Sequence, residues 1–329
     1  MTLRVALIGY GSAGRGIHAP LLREAGCAPA VVATSSPERA AQARADLPGV
    51  EVVADLDRAL AAAPDLAVLA SPTGAHAEQA LACIAAGVPV VVDKPLAVDA
   101  GQARAVVTAA ERAGVALTVF QNRRWDTENL TLRQVLDRGD LGTVHRFERR
   151  WERWRPVPKA RWREQAPAAG GGGILLDLGP HLIDAALLLF GPVTSVYAET
   201  AARTTTAEDD AFVSLDHAGG VRSHLTMGSV VGAPGPRTRV LGSRGAYVST
   251  SLPGEPGAFG GFDDTPGTCG WLVAGDERRA VPATPGSAVD FYRAVCSGAV
   301  PVDPWDAVAV ADVIDAARLS AAEGRAVPL

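Results

Sequence analysis

Cysteine is scarce and scattered: Cys27, Cys83, Cys269 and Cys296 lie far apart, with no Cys-x-x-Cys step and no Cys/His spacing of a metal knot. That distribution argues against a disulfide framework and a zinc module, and fits reduced thiols in a cytoplasmic protein. No metal is expected. Long apolar runs are missing too: none reaches the ~20 residues that cross a bilayer. The chain enters a strand-like run at Leu3 with no basic leader and apolar signal core before it. A soluble, cytoplasmic protein with no membrane partner is the expectation. An excess of basic charge is also absent, with 31 Lys and Arg against 36 Asp and Glu and a net charge of -5. The one basic concentration, Arg146 to Arg163 with Trp151, Trp154 and Trp162 among the arginines, is broken by Glu148, Glu152 and Glu164. No nucleic-acid partner is expected.

What is present suffices for two domains and a large core: 329 residues, of which 48% are hydrophobic and 20% charged. An apolar run, Leu3 to Ile8, leads directly into Gly9-Tyr10-Gly11-Ser12-Ala13-Gly14 and then a helical segment from Arg15 to Ala25. This strand, glycine turn and helix order is the one a dinucleotide pyrophosphate needs, because glycines let the backbone approach it at a helix N-terminus. The alternation continues with strands at Ala30–Ala33, Leu66–Ala70, Val88–Val92 and Val115–Val119, and helices at Pro37–Asp46, Ala75–Ala86 and Ala100–Ala113. Short, uninterrupted apolar strands belong to a parallel sheet covered on both faces. Residues 1–122 therefore read as a doubly wound nucleotide-binding domain, with ligands beyond the carboxyl ends of its strands.

Those ends carry Gly9–Gly14, Thr34-Ser35-Ser36, Ser71-Pro72-Thr73, Asp93-Lys94-Pro95 and Gln121-Asn122-Arg123. An NAD reader places an acidic residue at the second strand end to accept from the ribose hydroxyl. This chain offers Thr34, Ser35 and Ser36, with Arg39 nearby, which suits a 2′-phosphate and so favours NADP over NAD. Ser36 also fits as the cap of the helix opened by Pro37. Lys94, held before a proline at a buried strand end, suits donation to an alcohol or carbonyl oxygen.

Beyond Trp125 the pattern changes to a helix at Asn129–Arg138 and strands at Val144–Trp151, Val193–Glu199, Ala211–Asp216, Val221–Thr226, Arg237–Leu241 and Ala246–Ser249. The turn signals His217-Ala218-Gly219-Gly220 and Gly242-Ser243-Arg244-Gly245 make successive hairpins. Residues 123–329 thus read as an α+β domain on a mostly antiparallel sheet, with an irregular loop over Leu252–Gly270 and a closing helix at Trp305–Glu323. An open sheet face points to a homodimer or homotetramer.

The densest chemistry lies in Gly170–Asp184, where four glycines precede Asp177, Pro180, His181 and Asp184. Pro180 suits a helix first turn, which puts the helix start near Gly179 with Asp177 at its mouth. Helical spacing brings the three titratable residues to roughly one face. A histidine steadied by a carboxylate is a general base, and it is equally a core histidine whose nitrogens are satisfied by Asp177 or Asp184.

Four motifs in order give the chain a resemblance to the glucose-fructose oxidoreductase and inositol dehydrogenase family, Gfo/Idh/MocA. They are Gly9–Gly14 with His18 and Pro20, Asp93-Lys94-Pro95, the glycine entry to Asp177-x-Gly-x-His181-x-x-Asp184, and the terminal Ser320-Ala-Ala-Glu-Gly324-Arg325. The family usually writes Glu-Lys-Pro, so Asp93 departs from it. Asn122-Arg123-Arg124-Trp125-Asp126 and Arg161-Trp162-Arg163 resemble a branch with an NADP-dependent scyllo-inositol dehydrogenase. The resemblance implies that Lys94, Asp177 and His181 are catalytic. His181 would take a hydroxyl proton as hydride leaves, Lys94 would polarise the same oxygen, and Asp177 would hold a second hydroxyl or steady His181. It implies Asn122, Arg123 and Trp162 for the substrate wall. Ser71, Pro72, Thr73, His76 and Asp93, with Asn122, Trp162 and Arg163, would lie toward the cofactor, although His76 also fits as the first residue of its helix. The implied activity is hydride exchange between NADP(H) and a sugar or cyclic polyol. The alternatives are a non-catalytic nucleotide-sensing protein, or a redox-assisted elimination or glycoside cleavage that recycles its cofactor.

Overall fold

A computed structural model describes residues 3–159, 161–250 and 265–329. The chain divides into two units, residues 1–122 with 287–311, and residues 123–286 with 312–329. In the first unit, β1 (Val5–Ile8), β2 (Pro29–Ala33), β3 (Glu51–Val53), β4 (Leu66–Leu69), β5 (Val90–Asp93) and β6 (Leu117–Phe120) form one parallel sheet in the order β3-β2-β1-β4-β5-β6. The order reverses between β1 and β4, which opens the crevice where such sheets bind dinucleotides. Val5, Ala6, Leu7, Val31, Val32, Ala67, Val68, Leu69, Val91 and Val92 are wholly inaccessible to solvent, because helices α1 (Ala19–Glu24), α2 (Pro37–Asp46), α3 (Leu56–Ala61), α4 (His76–Ala85) and α5 (Ala100–Ala113) accompany the strands. The helix starts follow local chemistry. Ser36 and Asp55 accept from Arg39 and Arg58 N–H, and Asp99 accepts from Gln102 N–H. Gly114 ends α5 in the left-handed region at φ 64°.

The second unit contains α6 (Thr127–Asp137), β7 (Val144–Glu152), α7 (Trp162–Gln165), α8 (Ile174–Asp177), α9 (Gly179–Phe190), β8 (Val193–Ala201), β9 (Asp210–His217), β10 (Arg222–Gly228), β11 (Thr238–Gly242), β12 (Gly245–Ser249), β13 (Thr268–Ala274) and β14 (Glu277–Pro282). Next along the chain come α10 (Val289–Cys296), which belongs to the first unit, α11 (Pro304–Glu323), which is shared between the two, and β15 (Val327–Pro328), which belongs to the second. The nine strands join in the order β14-β13-β12-β11-β7-β10-β9-β8-β15, antiparallel except for the parallel pair β10 and β7. On β9 the residues alternate strictly between buried and half-buried, as expected where only one face meets a core.

The loop expected over Leu252–Gly270 is corrected at its end. Thr268–Gly270 begins β13, paired with β12 and β14, while residues 252–264 lie outside the described ones. The terminal motif has a structural use: buried Ser320 accepts the Ala198 N–H at 2.9 Å and donates to the Arg325 carbonyl at 2.6 Å. It thereby ties the end of α11 to β8. The expectation of four reduced thiols is also corrected. Cys27 and Cys296 are paired as a disulfide, with Cα atoms 6.8 Å apart, because α10 packs in the first unit beside α1. Cys83 and Cys269 are buried free thiols, and burial pushes Cys83 up to about 12. Among the described residues, no single helix is long and apolar enough to cross a membrane.

Candidate active site

In the first unit the glycine loop is built for close approach. Gly9 has φ +95°, and a Cβ there would sit 2.7 Å from the Ala70 carbonyl oxygen, so only glycine lets the loop lie against the end of β4. The loop turns into a π-helical turn at Gly14–His18 that continues as α1. Tyr10, 2% exposed, is anchored rather than offered to a ligand. Its hydroxyl donates to Asp46 at 3.1 Å, and Arg15 Nε donates to the same carboxylate at 2.6 Å. Burial and then Asp46 raise the Tyr10 hydroxyl to about 12. Ser12 is exposed and Ala13 half-buried at the mouth of this loop.

At the end of β2, Thr34 and Ser36 are partly exposed and Ser35 is exposed. Thr34 Oγ1 accepts from Ser36 N–H, and Ser36 Oγ caps α2. Arg39 projects back over the loop: a Cβ at Gly11 would meet its guanidinium carbon at 3.7 Å. The rim has the parts a dinucleotide needs, namely glycines that admit a pyrophosphate, a helix start behind them, and hydroxyls beside a guanidinium.

Across the switch point, His76 opens α4 and is 1% exposed. Its Nδ1 lies 2.8 Å from the Pro95 carbonyl oxygen and its Nε2 2.9 Å from that of Ser71. The ring thus braces the Asp93-Lys94-Pro95 turn against the end of β4, and burial lowers its pKa. Ser71 Oγ donates to Gln79 at 2.6 Å, Pro72 is exposed and Thr73 buried. Asp93 Oδ1 accepts the Lys94 N–H at 2.9 Å, and the Lys94-Pro95 peptide is cis. Burial alone would raise Asp93, but His18 and Lys94 outweigh it and hold the carboxyl at about 2. Asn122 closes this unit on a 3₁₀ turn at Asn122–Trp125.

In the second unit the glycine run does turn the chain sharply. Gly173 has φ +97° and precedes α8, and the axes of 168–177 and α9 then meet at 61°. Pro180 stands in the first turn of α9. Asp177 is the last residue of α8, a third exposed, with Arg163 Nε 3.7 Å from its Oδ1. It lines an open cleft with Arg153, Arg163, Glu164, Thr204 and Glu208. Arg163 also lies over the Trp162 ring at 5.1 Å. His181, half-buried on α9, packs at a tilt against Trp151 with ring centroids 5.5 Å apart. The three-residue cluster suggested by helical spacing divides, because Asp184 turns inward and is held by Arg124 at 2.6 Å.

Two features had no voice in the sequence. Trp151 is ringed by the guanidinium groups of Arg123, Arg153 and Arg237 at 4.9, 5.1 and 4.6 Å. Behind it Glu128, 2% exposed, takes Arg237 at 3.4 Å and the Thr238 hydroxyl at 2.6 Å, with Arg149 at 3.7 Å. Glutamate in an otherwise ordinary amphipathic helix gave no signal of burial.

A nucleotide-binding doubly wound unit with a lysine at a strand end, followed by an α+β unit presenting a helix-borne histidine and aspartate, defines a dinucleotide-dependent oxidoreductase. Residues 3–121 match the model of the oxidoreductase family with NAD-binding Rossmann fold, and residues 129–248 match that of the GFO/IDH/MocA C-terminal domain. The chain belongs to the Gfo/Idh/MocA family of oxidoreductases.

Among its relatives is the scyllo-inositol 2-dehydrogenase (NADP(+)) IolW of Bacillus subtilis, 32% identical over 100% of this chain and 96% of that protein. The uncharacterised oxidoreductase YdgJ of Escherichia coli is 36% identical over 95% of this chain and 94% of its own. A solved oxidoreductase structure, YvaA of Bacillus subtilis, superposes with a TM-score of 0.87 at 31% identity, covering 100% of this chain and 98% of that one.

Proposed function

We propose that this oxidoreductase exchanges a hydride between NADP(H) and a hydroxyl-bearing carbon of a cyclic polyol or sugar, with inositols the first class to test. The observation that carries the cofactor choice is Arg39 lying over Gly11, beside hydroxyls at an end of β2 that bears no acid. Full-length similarity to an NADP-dependent scyllo-inositol dehydrogenase supports the substrate class. When bound, the nicotinamide supplies the hydride acceptor. Gly9–Gly14, Thr34, Ser35, Ser36 and Arg39 would hold the nucleotide, and Ser71, Pro72 and Thr73 would border it. His76 is 1% exposed with its ring nitrogens facing backbone carbonyls, so its part is to shape that border.

His181 is the proposed base for the hydroxyl proton, Lys94 the group that steadies negative charge on the same oxygen, and Asp177 the holder of a neighbouring hydroxyl. Asn122, Arg123, Trp162 and Arg163 complete the proposed substrate wall and nicotinamide border. The protein itself is proposed to work as a homodimer or homotetramer in the cytoplasm.

The test is a panel of inositols and aldoses with NADP and with NAD, read as absorbance of the reduced nicotinamide. Substrate-dependent NADP reduction is expected, and its absence throughout the panel in protein that binds NADP counts decisively against the reading. In active protein, Lys94→Met and His181→Ala each lower kcat by about a hundredfold or more with NADP affinity nearly unchanged. Preserved turnover in either removes that residue from the chemistry.

A further inference from the structure

Behind Asp93 lies a buried polar chain that neither nucleotide binding nor the proposed chemistry accounts for. His18, in the π-helical turn after the glycine loop, is inaccessible to solvent, and its Nδ1 is 2.5 Å from the hydroxyl of Tyr292 on α10. Its Nε2 lies 3.6 Å from Asp93 Oδ2, too far for a hydrogen bond and close enough for the carboxylate to act electrostatically on whatever that nitrogen carries. The opposite oxygen of that carboxylate accepts the Lys94 backbone N–H at 2.9 Å. Phe120 stacks on Tyr292 at 5.4 Å and tilts against His18 at 4.6 Å, so the rings are fixed from the side. All these residues belong to the first unit.

We infer that Tyr292 and His18 are positioning residues for Lys94, acting through Asp93: the Tyr292 hydroxyl donates to His18 Nδ1 and so places the imidazole proton on Nε2, facing the carboxylate. A neutral imidazole has one N–H, and the partner of one nitrogen decides where it sits. Were Nδ1 the donor, the Nε2 lone pair would face an anionic oxygen with no solvent to soften the repulsion. The Tyr292 hydroxyl keeps its proton and so has one to donate, since burial and then the nearby Asp93 charge raise its pKa well above the ordinary value. With Nε2–H toward it, the Asp93 carboxylate is held in place beside Lys94. The other charged or titratable groups acting on Asp93 are Lys94 itself and His76, and the His76 ring nitrogens face the Pro95 and Ser71 carbonyls.

The role assigned to Lys94 rests on the proposed function, but the network has a readout that needs no substrate. Lys94 and Lys159 are the chain's lysines, so ¹³C-dimethylation of the full-length protein gives two side-chain signals, assigned with Lys159→Arg. Tyr292→Phe keeps the ring stack and removes the hydroxyl. It is expected to move the Lys94 titration downward by about half a pH unit or more, in the direction of a larger shift in Asp93→Asn. The same variant should lower kcat by roughly tenfold and displace its pH profile, with KM, NADP affinity and the thermal midpoint little changed.

In His18→Gln, whose amide donates regardless of Tyr292, adding Tyr292→Phe should have no further effect. Ring ¹⁵N spectra of wild type are expected to show His18 protonated on Nε2 alone. A Lys94 titration indifferent to Tyr292→Phe, an undiminished Tyr292→Phe effect in the His18→Gln background, or a proton on Nδ1 at neutral pH would each overturn the inference. A panel without turnover would sink the polyol reading and leave these magnetic-resonance outcomes standing.

Discussion

Arg124 holds the Asp184 carboxylate in a fork, with Nη2 to Oδ1 at 2.6 Å and Nε to Oδ2 at 3.0 Å. Asp184 is 3% exposed, so the pair fixes the middle of α9 to the turn at Asn122–Trp125 and thereby sets where His181 stands. Removing the guanidinium leaves a buried carboxylate without its bidentate partner. Arg124→Ala is expected to cost roughly 3–5 kcal/mol in urea unfolding. Arg124→Lys should recover only part, because an ammonium cannot reproduce the planar fork. An Arg124→Ala protein as stable as wild type would show that the fork is incidental.

Trp151 is expected to act on His181 through packing. Its indole supports the imidazole at 5.5 Å and is itself pinned by three guanidinium groups. Trp151→Ala lets the imidazole shift, and turnover should fall by about ten- to a hundredfold, while NADP titration, which reads the other unit, stays unchanged. Trp151→Phe, which keeps a ring face, should lose much less. Steady-state kinetics and a fluorescence titration of each variant settle the comparison.

Acid should unfold the second unit in a way that depends on Glu128. Burial by itself would raise this carboxyl, but Arg149 and Arg237 outweigh it and bring it from 4.5 down to about 2. A depressed folded-state value stabilises fully above the unfolded value and loses that contribution as pH falls from about 4.5 toward 2. The 2.5-unit difference corresponds to on the order of 3 kcal/mol. Glu128→Gln should be destabilised at pH 7 by a similar amount and show a flatter decline below pH 4.5. Equal slopes for the two proteins in urea titrations across this window would place the acid sensitivity elsewhere.

Cofactor preference should hinge on Arg39. It is exposed at the rim and lies over Gly11, where its charge contributes only if a phosphate is present. Arg39→Ala is expected to weaken NADP binding by about tenfold or more and leave NAD binding nearly as it was. Because the contact is exposed, the NADP loss should shrink as salt rises from 50 to 500 mM, titration values chosen as roughly threefold apart in screening length. Parallel losses for both dinucleotides would overturn the NADP preference.

Five strands of the parallel sheet, helices α1, α2, α4 and α5, and the hairpins β9–β10 and β11–β12 were legible, because the strands are bounded apolar runs and cap or turn residues mark several boundaries, as at Ser36-Pro37, while α3 was missed despite its Asp55 cap. Elements with weak local signals were not. β3 is three residues with no buried member, and β14 is a charged edge, Glu277-Arg278-Arg279, whose pairing depends on β13. At the site, motif spacing singled out Lys94, Asp177 and His181 as candidates. It assigned Asp184 to the same face, since periodicity knows nothing of Arg124, 60 residues earlier. Tyr292 was invisible for the same reason: its partner His18 is 274 positions away, and a tyrosine in a short helix carries no mark of its partner.

Residues 287–311 belong to the unit that the first 122 residues begin, and α11 runs from that unit into the other at Ala311 and Asp312. During synthesis, then, the nucleotide-binding unit waits with an unfinished flank while the whole antiparallel sheet is being made. At ~5–20 residues per second the interval is on the order of ten to thirty seconds. A nascent chain severed after residue 122 would expose the surfaces that α10 and the start of α11 cover, and would need a chaperone where the full-length protein needs only time.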